Sequence, residues 1–381
     1  MANQHVLREA GPVEKPMFPP EDRHGIHLKR ALGRLGYPYE TAPFTVTLRL
    51  PVGWEVAVQG FAAGSDWTTL PSAAAVGSPA CRDVEGPVVH VGSGATEEYR
   101  LAAELYRGSI VLAGLGRVPA RDVVLTARDH GALGVLFHDP RGTSVRAVAP
   151  GSRIALPAAT IGRNAAKVLA CVPSTARLTV ESEEGDHAFE NLFVRRGDGP
   201  LHVVVAGHHH ARPLRLGPGS RSMSRAAMLL LLEKVQPPAD RHFTFAFMDG
   251  EEFGSLGSAR YYEELRSKAV APPDLVVDLN ALGTRRELGV EVHQPQGDGG
   301  AILELAVRAF EAAGLRLATR ELDERLYGGT PRPRIRCPVV LLGGRPRQRV
   351  PSWDLGEEMP DGLGVSRLVD PIATILCEAK A

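Results

Sequence analysis

Side chains of the kind that bind metals follow two apolar stretches in the middle of the chain. The triplet HHH at 208–210 comes directly after LHVVVAG, and DGEE at 249–252 comes directly after HFTFAFM. Runs rich in β-branched and aromatic residues predict buried strands. Imidazoles and carboxylates serve as zinc ligands and as general bases. The pattern therefore predicts metal-assisted or acid–base chemistry at the ends of two strands.

The intervening elements must bring these side chains together. We predict a strand at 201–206, a Gly/Pro-rich loop, a helix at 223–235 and a second strand at 242–248. Asp278 likewise comes directly after a third apolar stretch, DLVV. In an open α/β sheet, ligands bind just beyond the C-terminal ends of the strands. One site built from three strand ends is expected.

Length and composition exclude several classes of protein. A chain of 381 residues is too long for one ordinary core, which favours two domains. The 44 basic and 44 acidic residues balance without an extended basic run, so nucleic acid is not expected as a partner. The opening MANQHVLREAGPVEK has no apolar core and no later stretch reaches transmembrane length. Four scattered cysteines lack metal or disulfide spacing. We expect a cytoplasmic protein without a membrane partner.

The first half of the chain has its own organisation. Residues 1–20 form an irregular, Pro-rich lead-in, and a helix is expected at 22–35. TVTLRL and WEVAVQGF are strand-like pieces between turns. Residues 87–180 then predict a small α/β unit, with strands at SIVLAG, GVLFHD, 157–161 and RLTVES and helices at 122–130 and 163–170.

This unit resembles a protease-associated domain. The resemblance lies in RGSIVLAGLGRVPARDVVLTARDHGALGVLFHD followed by ALPAATIGRNAAKVL. Such domains are inserted near the start of a peptidase domain and act as lids or as walls that contact substrate. The resemblance implies an insert at 51–182 within a peptidase-like domain made of 21–50 and 183–381. A generic small α/β domain is the alternative.

The remainder resembles the co-catalytic di-zinc aminopeptidase family, which includes glutamate carboxypeptidase II, the glutaminyl cyclases and the transferrin receptor. ENLFVRRGDGPLHVVVAGHHH is similar to the entry strand of that family, and MDGEEFGSLGS is similar to its Glu-Glu signature. DLVVDLNALG resembles the next strand that carries a ligand. The resemblance implies an α/β fold with a mixed sheet flanked by helices.

In that family, two zinc ions share a bridging Asp and a water, whose pKa they lower while polarising the scissile carbonyl. A Glu beside the second metal moves the proton of that water to the leaving amine. The resemblance implies Glu251 as this general base and Glu252 as a ligand of the second zinc. His208 and Asp278 would bind the first zinc.

This chain departs from the family pattern at several ligand positions. The Asp of the His-x-Asp motif is His210, and the bridging Asp position is Ser222, flanked by Arg221 and Arg225. No histidine follows His293, so the late histidine ligand of the family has no counterpart. A standard di-zinc site cannot be assembled from the residues that remain.

One zinc could still bind to His208, His210 and Asp278, with Glu252 nearby. His210 could instead only hydrogen-bond to His208. The triplet could also be a polar loop. Adjacent acidic residues are common at helix starts, where the helix dipole favours them, which gives the Glu pair a structural alternative.

We expect at most one zinc and narrowly favour none. Clustered carboxylates need a cation, and Arg221 or Arg225 could enter the old metal cavity and pair with Glu252 or Asp278.

Three function classes follow from this donor set. We favour a zinc-metallopeptidase homologue with an incomplete di-metal site that is not an ordinary aminopeptidase, and whose cleft between domains binds a small molecule or peptide. A mononuclear zinc-dependent amide hydrolase is the second class. A non-hydrolytic enzyme similar to glutaminyl cyclases, using Glu251, is the third. The sequence also allows a homodimer.

Overall fold

The structure is a computed structural model that describes residues 26–60, 66–100, 103–116, 118–140, 145, 147–209, 219–250, 253–267, 272–280, 288–293, 300–315, 317–319, 337–344 and 366–379. The lead-in at 1–20 lies outside this range. The helices are α1 Ile26–Leu35, α2 Thr96–Arg100, α3 Ala103–Tyr106, α4 Ala120–Asp129, α5 Arg163–Leu169, α6 Gly219–Lys234, α7 Leu256–Arg266, α8 Gly300–Ala312 and α9 Ser366–Glu378. The strands are β1 Glu40–Gln59, β2 Thr68–Thr69, β3 Ser72–Ala74, β4 Cys81–His90, β5 Ile110–Gly114, β6 Gly134–His138, β7 Ala158–Ile161, β8 Thr175–Arg196, β9 Leu201–His208, β10 Arg241–Met248, β11 Leu275–Asn280, β12 Leu288–His293, β13 Leu317–Thr319 and β14 Val339–Gly344.

The described strands form one mixed sheet with helices packed against it. Its order is β13-β12-β14-β11-β9-β10-β8-β4-β5-β6-β7-β3, and β1 pairs with β8 and β2 beside this path. Strands β10, β9, β11 and β14 are mutually parallel, whereas β8 runs antiparallel to β10. The predicted α/β class with a mixed sheet flanked by helices is confirmed.

Two long strands, β1 and β8, link the two ends of this sheet. They pair antiparallel from Glu40 opposite Phe193 to Gln59 opposite Thr175. The prediction of separate strand pieces at TVTLRL and WEVAVQGF is wrong, because both belong to β1. Pro51 and Gly53 produce a register shift rather than a turn, since β8 offers partners on both sides of it.

The buried apolar residues form separate clusters along the sheet. One large cluster lies between β9, β10 and β11 and the helices α1, α6, α8 and α9. Two others lie among β4–β7, α4 and α5 and include residues such as Leu112 and Phe137. Each end of the sheet therefore has apolar packing of its own. The boundaries at 51 and 182 remain a prediction, because β1 and β8 continue through both.

The C-terminal end of α6 is anchored by two side chains. Arg196 of β8 donates from Nη1 to the carbonyl oxygens of Leu232 and Val235, the latter at 2.8 Å. Tyr37 donates its hydroxyl to Leu232 O at 3.0 Å. The last carbonyls of a helix lack intrahelical partners, so a cation there satisfies them and complements the helix dipole. These bonds fix α6 relative to β8.

Membrane insertion through a helix finds no support in the part of the chain that is described. None of its helices combines the length and the apolar character that a membrane span requires.

Tyr99 and Tyr106 provide a matched test of the packing around α4. Both are buried, but Tyr106 donates its hydroxyl to Glu98 O at 3.1 Å, whereas the Tyr99 hydroxyl has no hydrogen-bond partner among the residues that the structure describes. We expect Tyr99→Phe to leave the free energy of unfolding unchanged or to raise it by about 1 kcal/mol, since an unsatisfied hydroxyl is removed. Tyr106→Phe should lower it by about 1 kcal/mol. Urea unfolding measures both, and a larger loss in Tyr99→Phe than in Tyr106→Phe would contradict the assignment.

Candidate functional site

His208 and Asp278 lie at neighbouring strand ends on the same face of the sheet. Met248 pairs with His208, and Asp278 pairs with Ala206 on the other side of β9. Because side chains alternate along a strand, Ala206, His208 and Asp278 share one face. The two polar side chains are buried, with exposed fractions of 5% and 7%. The two side chains thus share one face of the sheet, and their joint binding of a metal stays a prediction.

His209 has a different position from its neighbour. Its Nε2 donates to Glu190 O at 2.9 Å, and its main-chain N–H donates to Met248 O at 3.0 Å. A carbonyl oxygen only accepts, so Nε2 carries the proton. His209 therefore ties β9 to β8 and β10, and it supports the site without facing it as a ligand. His210 lies outside the described residues.

Asp249 is held by backbone amides. Its Oδ2 accepts from Glu190 N at 3.0 Å, and its Oδ1 accepts from Gly250 N at 2.7 Å. Its own N–H donates to Asn191 Oδ1 at 3.0 Å. Both carboxylate oxygens are thus engaged in positioning the turn after β10.

Asn191 fixes the other end of that turn. Its Nδ2 donates to Gly257 O at 3.0 Å, and Gly257 N donates to Asp249 O at 2.8 Å. A Cβ atom at Gly257 would overlap Asn191 Oδ1, so only glycine fits there. The hydrogen bonds of Asn191 therefore fix Asp249 and Gly257, whereas Glu251 and Glu252 lie outside the described residues. Sequence reasoning missed Asn191, although a lone amide in the strand ENLFV was a usable signal.

An aromatic cluster anchors the same turn from one side. Phe253 is fully buried, and its ring packs edge-on against Phe189 with centroids 5.7 Å apart. Phe189 in turn stacks on Phe44 of β1 at 5.5 Å. Val76 and Ala149, from the segment that resembles a protease-associated domain, complete this cluster. The segment from 51 to 182 therefore touches Phe253, which follows the Glu pair in the sequence.

Arg225 reaches the strand ends from α6. Its Nη1 donates to His209 O at 3.4 Å. Gly207 permits the close approach of α6, because a Cβ there would lie 2.5 Å from Met228 Sδ. Positions 221 and 222 belong to α6, but their side chains and Glu252 lie outside the described residues. An arginine pair with Glu252 or Asp278 thus remains a prediction.

The described His and Asp side chains can be compared with the ligands that two zinc ions, as the resemblance implies, would need. His208 and Asp278 supply two donors, whereas His209 and Asp249 are engaged with the backbone. Within the described ranges, no group of three or more His, Cys, Asp or Glu side chains is placed to hold a metal. A catalytic zinc takes three protein ligands. The described residues therefore do not fit a di-zinc site, and a single zinc needs a third donor from His210 or Glu252.

The two side-chain hydrogen bonds of Asn191, with Asp249 N and Gly257 O, predict a contribution to stability. Asn191→Ala removes one acceptor and one donor, leaving Asp249 N and Gly257 O buried without this partner. Each such group costs about 1–3 kcal/mol, so we expect a loss of about 2–4 kcal/mol in the free energy of unfolding. Asn164→Ala, at an exposed position of α5, is the matched control and should change it by less than about 0.5 kcal/mol. If chemical denaturation showed equal losses in the free energy of unfolding for the two variants, this role of the Asn191 side chain would be contradicted.

Parts of the chain are similar in sequence to known peptidases. Residues 193–327 match the profile of Peptidase family M28. Aminopeptidase YwaD of Bacillus subtilis (strain 168) is 22% identical over 228 residues, covering 55% of this chain and 50% of that protein. The chain thus spans about half the length of the curated relative that it matches.

Solved structures share the fold across nearly the whole chain. The zinc aminopeptidase BSAP from Bacillus subtilis is 19% identical with a TM-score of 0.64, covering 98% of this chain and 93% of that one. An aminopeptidase from Aneurinibacillus sp. strain AM-1 is 18% identical with a TM-score of 0.61, covering 98% and 90%. The predicted zinc-aminopeptidase-like fold is confirmed.

Proposed function

From this relation to Peptidase family M28, we propose that the chain is a zinc-metallopeptidase homologue with an incomplete di-metal site. Its old active-site cleft binds a small molecule or peptide, without ordinary aminopeptidase turnover. The observation that carries the proposal is the donor set. His208 and Asp278 share one face of the sheet, but Ser222 falls at the position of the bridging Asp that the resemblance implies, and no histidine follows His293.

A bridging carboxylate is what allows two cations to approach each other. A serine hydroxyl is neutral and cannot offset two divalent charges, so the paired clamp on an attacking water is lost. The arginines at 221 and 225 add positive charge in place of the missing negative one. The charge balance of the cleft then favours an anionic group of a ligand over a second metal ion.

In this proposal Asp278 interacts with a positively charged side chain. A carboxylate with 7% exposure is costly to keep ionised unless a cation or several hydrogen bonds offset the loss of water. Arg225 already directs its guanidinium to His209 O, next to His208. We assign to Arg221 or Arg225 the role of replacing the metal, through a pair with Asp278 or Glu252.

The insert at 51–182 is proposed to be a protease-associated domain that forms one wall of the cleft. Its apolar clusters and its contacts to the Phe253 cluster through Val76 and Ala149 support this role. A ligand bound between the two parts would contact the turn after β10.

A second candidate is a mononuclear zinc-dependent hydrolase. The shared face and burial of His208 and Asp278 favour it, and His210 or Glu252 would complete the ligand set with Glu251 as general base. Such a zinc would polarise an amide carbonyl and activate water. Use of Glu251 for a non-hydrolytic reaction, as in glutaminyl cyclases, is the remaining alternative.

Turnover of aminoacyl-nitroanilides separates these proposals. We expect no turnover above background with added zinc, cobalt or manganese, because the bridging ligand is missing. Glu251→Gln should therefore have no effect, and neither should the control Glu263→Gln on the exposed surface of α7. Robust turnover that disappears in Glu251→Gln but persists in Glu263→Gln would establish a working peptidase.

Zinc titration of His208 variants tests the arginine hypothesis. We expect wild type and His208→Ala to bind the same amount of zinc, since a guanidinium occupies the cavity. The double variant Arg221→Ala/Arg225→Ala should gain zinc binding that depends on His208, because the carboxylates then lack a cation. Zinc that binds wild type and is lost in His208→Ala would overturn the arginine hypothesis and favour the mononuclear hydrolase.

A further inference from the structure

Two histidines face each other at the N-terminal ends of neighbouring strands. His202 is the second residue of β9 and His242 the second residue of β10, and the two are paired across this parallel ladder. Their rings stack with centroids 4.4 Å apart and an angle of 11° between the ring planes. Both side chains are half-buried. The pair lies at the edge of the sheet opposite to His208, which is about 20 Å away along β9.

Each imidazole is fixed by a hydrogen bond. His242 donates from Nδ1 to Gly199 O at 2.6 Å, since a carbonyl oxygen only accepts. The Nε2 atom of His202 is hydrogen-bonded to the hydroxyl of Thr244, two residues along β10, at 2.8 Å. The two rings are therefore held face to face, and separating them would break at least one of these bonds.

The main chain at His202 is tied to a carboxylate. His202 N donates to Asp274 Oδ2 at 2.6 Å, and Asp274 N donates to His202 O at 2.8 Å. Asp274 directly precedes β11, so these bonds join the start of β9 to the start of β11. Because the stacked rings join β9 to β10, one corner of the sheet holds the beginnings of three strands.

Other charged and titratable groups lie around the pair or next to its neighbours. They are Arg195 of β8, Asp274, Tyr261 and Glu264 of α7, and Cys337 before β14. Burial raises the pKa of Tyr261 and raises the pKa of Cys337 to about 11, so neither exchanges a proton between pH 5 and pH 7. Asp274 favours a positive charge on His202, whereas Arg195 opposes it.

The stacked arrangement disfavours protonation of the rings. Burial and the facing His242 lower the pKa of His202 to about 4, with Arg195 adding to the shift and Asp274 opposing it. The pKa of an exposed histidine is about 6.5. The unfolded chain therefore binds a proton at His202 in a pH range where the folded protein does not. Stability from this residue is complete above about pH 6.5 and is lost as the pH falls towards about 4.

We propose that the stacked pair of His202 and His242 is an acid-sensitive latch, which joins the starts of β9 and β10 when the rings are neutral and opens when they are protonated. Two imidazolium ions in contact repel each other, and opening lets water solvate them. Val203 and Phe243, the next residues of the two strands, are buried in the main apolar cluster and keep the remainder of both strands in place. The latch therefore responds to acid locally. It does not depend on the proposed function of the cleft.

The latch also bears on the attachment of α9. Arg241, the neighbour of His242, donates to Leu376 O and to Ala379 O at 2.9 Å each. These bonds hold the last turn of α9 against the start of β10. When the first residues of β10 separate from β9, this anchor is released with them.

Urea unfolding at pH 7 and pH 5 tests the proposal. With pKa values of about 4 and 6.5, His202 should raise the unfolding equilibrium constant about 20-fold between pH 7 and pH 5. His202→Gln, which keeps an amide near the position of Nε2, should remove about this factor from the pH dependence of wild type. His242→Asn, which keeps a donor near the position of Nδ1, should remove part of it, because the facing imidazole is lost. The matched control is His130→Gln, since the His130 ring packs against Tyr99 instead of another imidazole, and it should keep the wild-type pH dependence.

Hydrogen exchange of the wild-type protein gives a second measurement that requires no variant. After correction for intrinsic exchange rates, His202 N and Asp274 N should lose protection about tenfold or more between pH 7 and pH 5. Val135 N, which donates to Pro157 O in the insert, should keep its protection.

Three results would overturn the latch. One is the same pH dependence of unfolding in wild type and His202→Gln. Another is unchanged protection of His202 N and Asp274 N at pH 5. The third is an equal loss of protection at Val135 N, which would show that acid unfolds the chain as a whole instead of opening this corner of the sheet.

Discussion

The backbone pairing of β8 is the constraint on which the other parts of the molecule depend. This strand pairs with β1 along almost its whole length, with β4 near its start and with β10 near its end. Each backbone hydrogen bond contributes only about 1 kcal/mol net, but the ladder joins two apolar clusters that do not otherwise share a strand. Where the pairing with β10 ends, the side chain of Asp249 takes over by accepting from Glu190 N. The same strand therefore sets both the overall sheet and the turn beside the candidate site.

The position of α6 follows from that constraint. Arg196, on β8, holds the last carbonyls of α6, and Gly207 lets the helix lie close against β9. A helix fixed at its far end and along its length has little freedom at its start, where position 222 lies. Arg225, one turn further, contacts the His209 carbonyl from that element.

The sequence was informative where local patterns determine structure. Apolar runs predicted β9, β10 and β11, two of which carry His208 and Asp278, because alternation and burial are local properties. It was not informative where partners are distant along the chain. The segment PVGW continues β1 because β8 lies opposite, and no local signal contains that information. Likewise the role of His209 depends on Glu190 O, and that of Asn191 on a turn 58 or more residues away. The insert boundaries and the roles of Glu251 and Glu252 remain predictions.

The ladder between β1 and β8 also brings two distant points of the chain side by side. Leu48 of β1 lies opposite Gly185 of β8. Two antiparallel strands can be joined by a two-residue turn, so a shortened gene could close the gap at that point without rearranging any other strand. Such a chain would lose Val76 and Ala149, however, and leave Phe189 and Phe253 without part of their covering. The residues between Leu48 and Gly185 are thus dispensable for connecting β1 to β8, but they cover an aromatic surface whose exposure would promote aggregation.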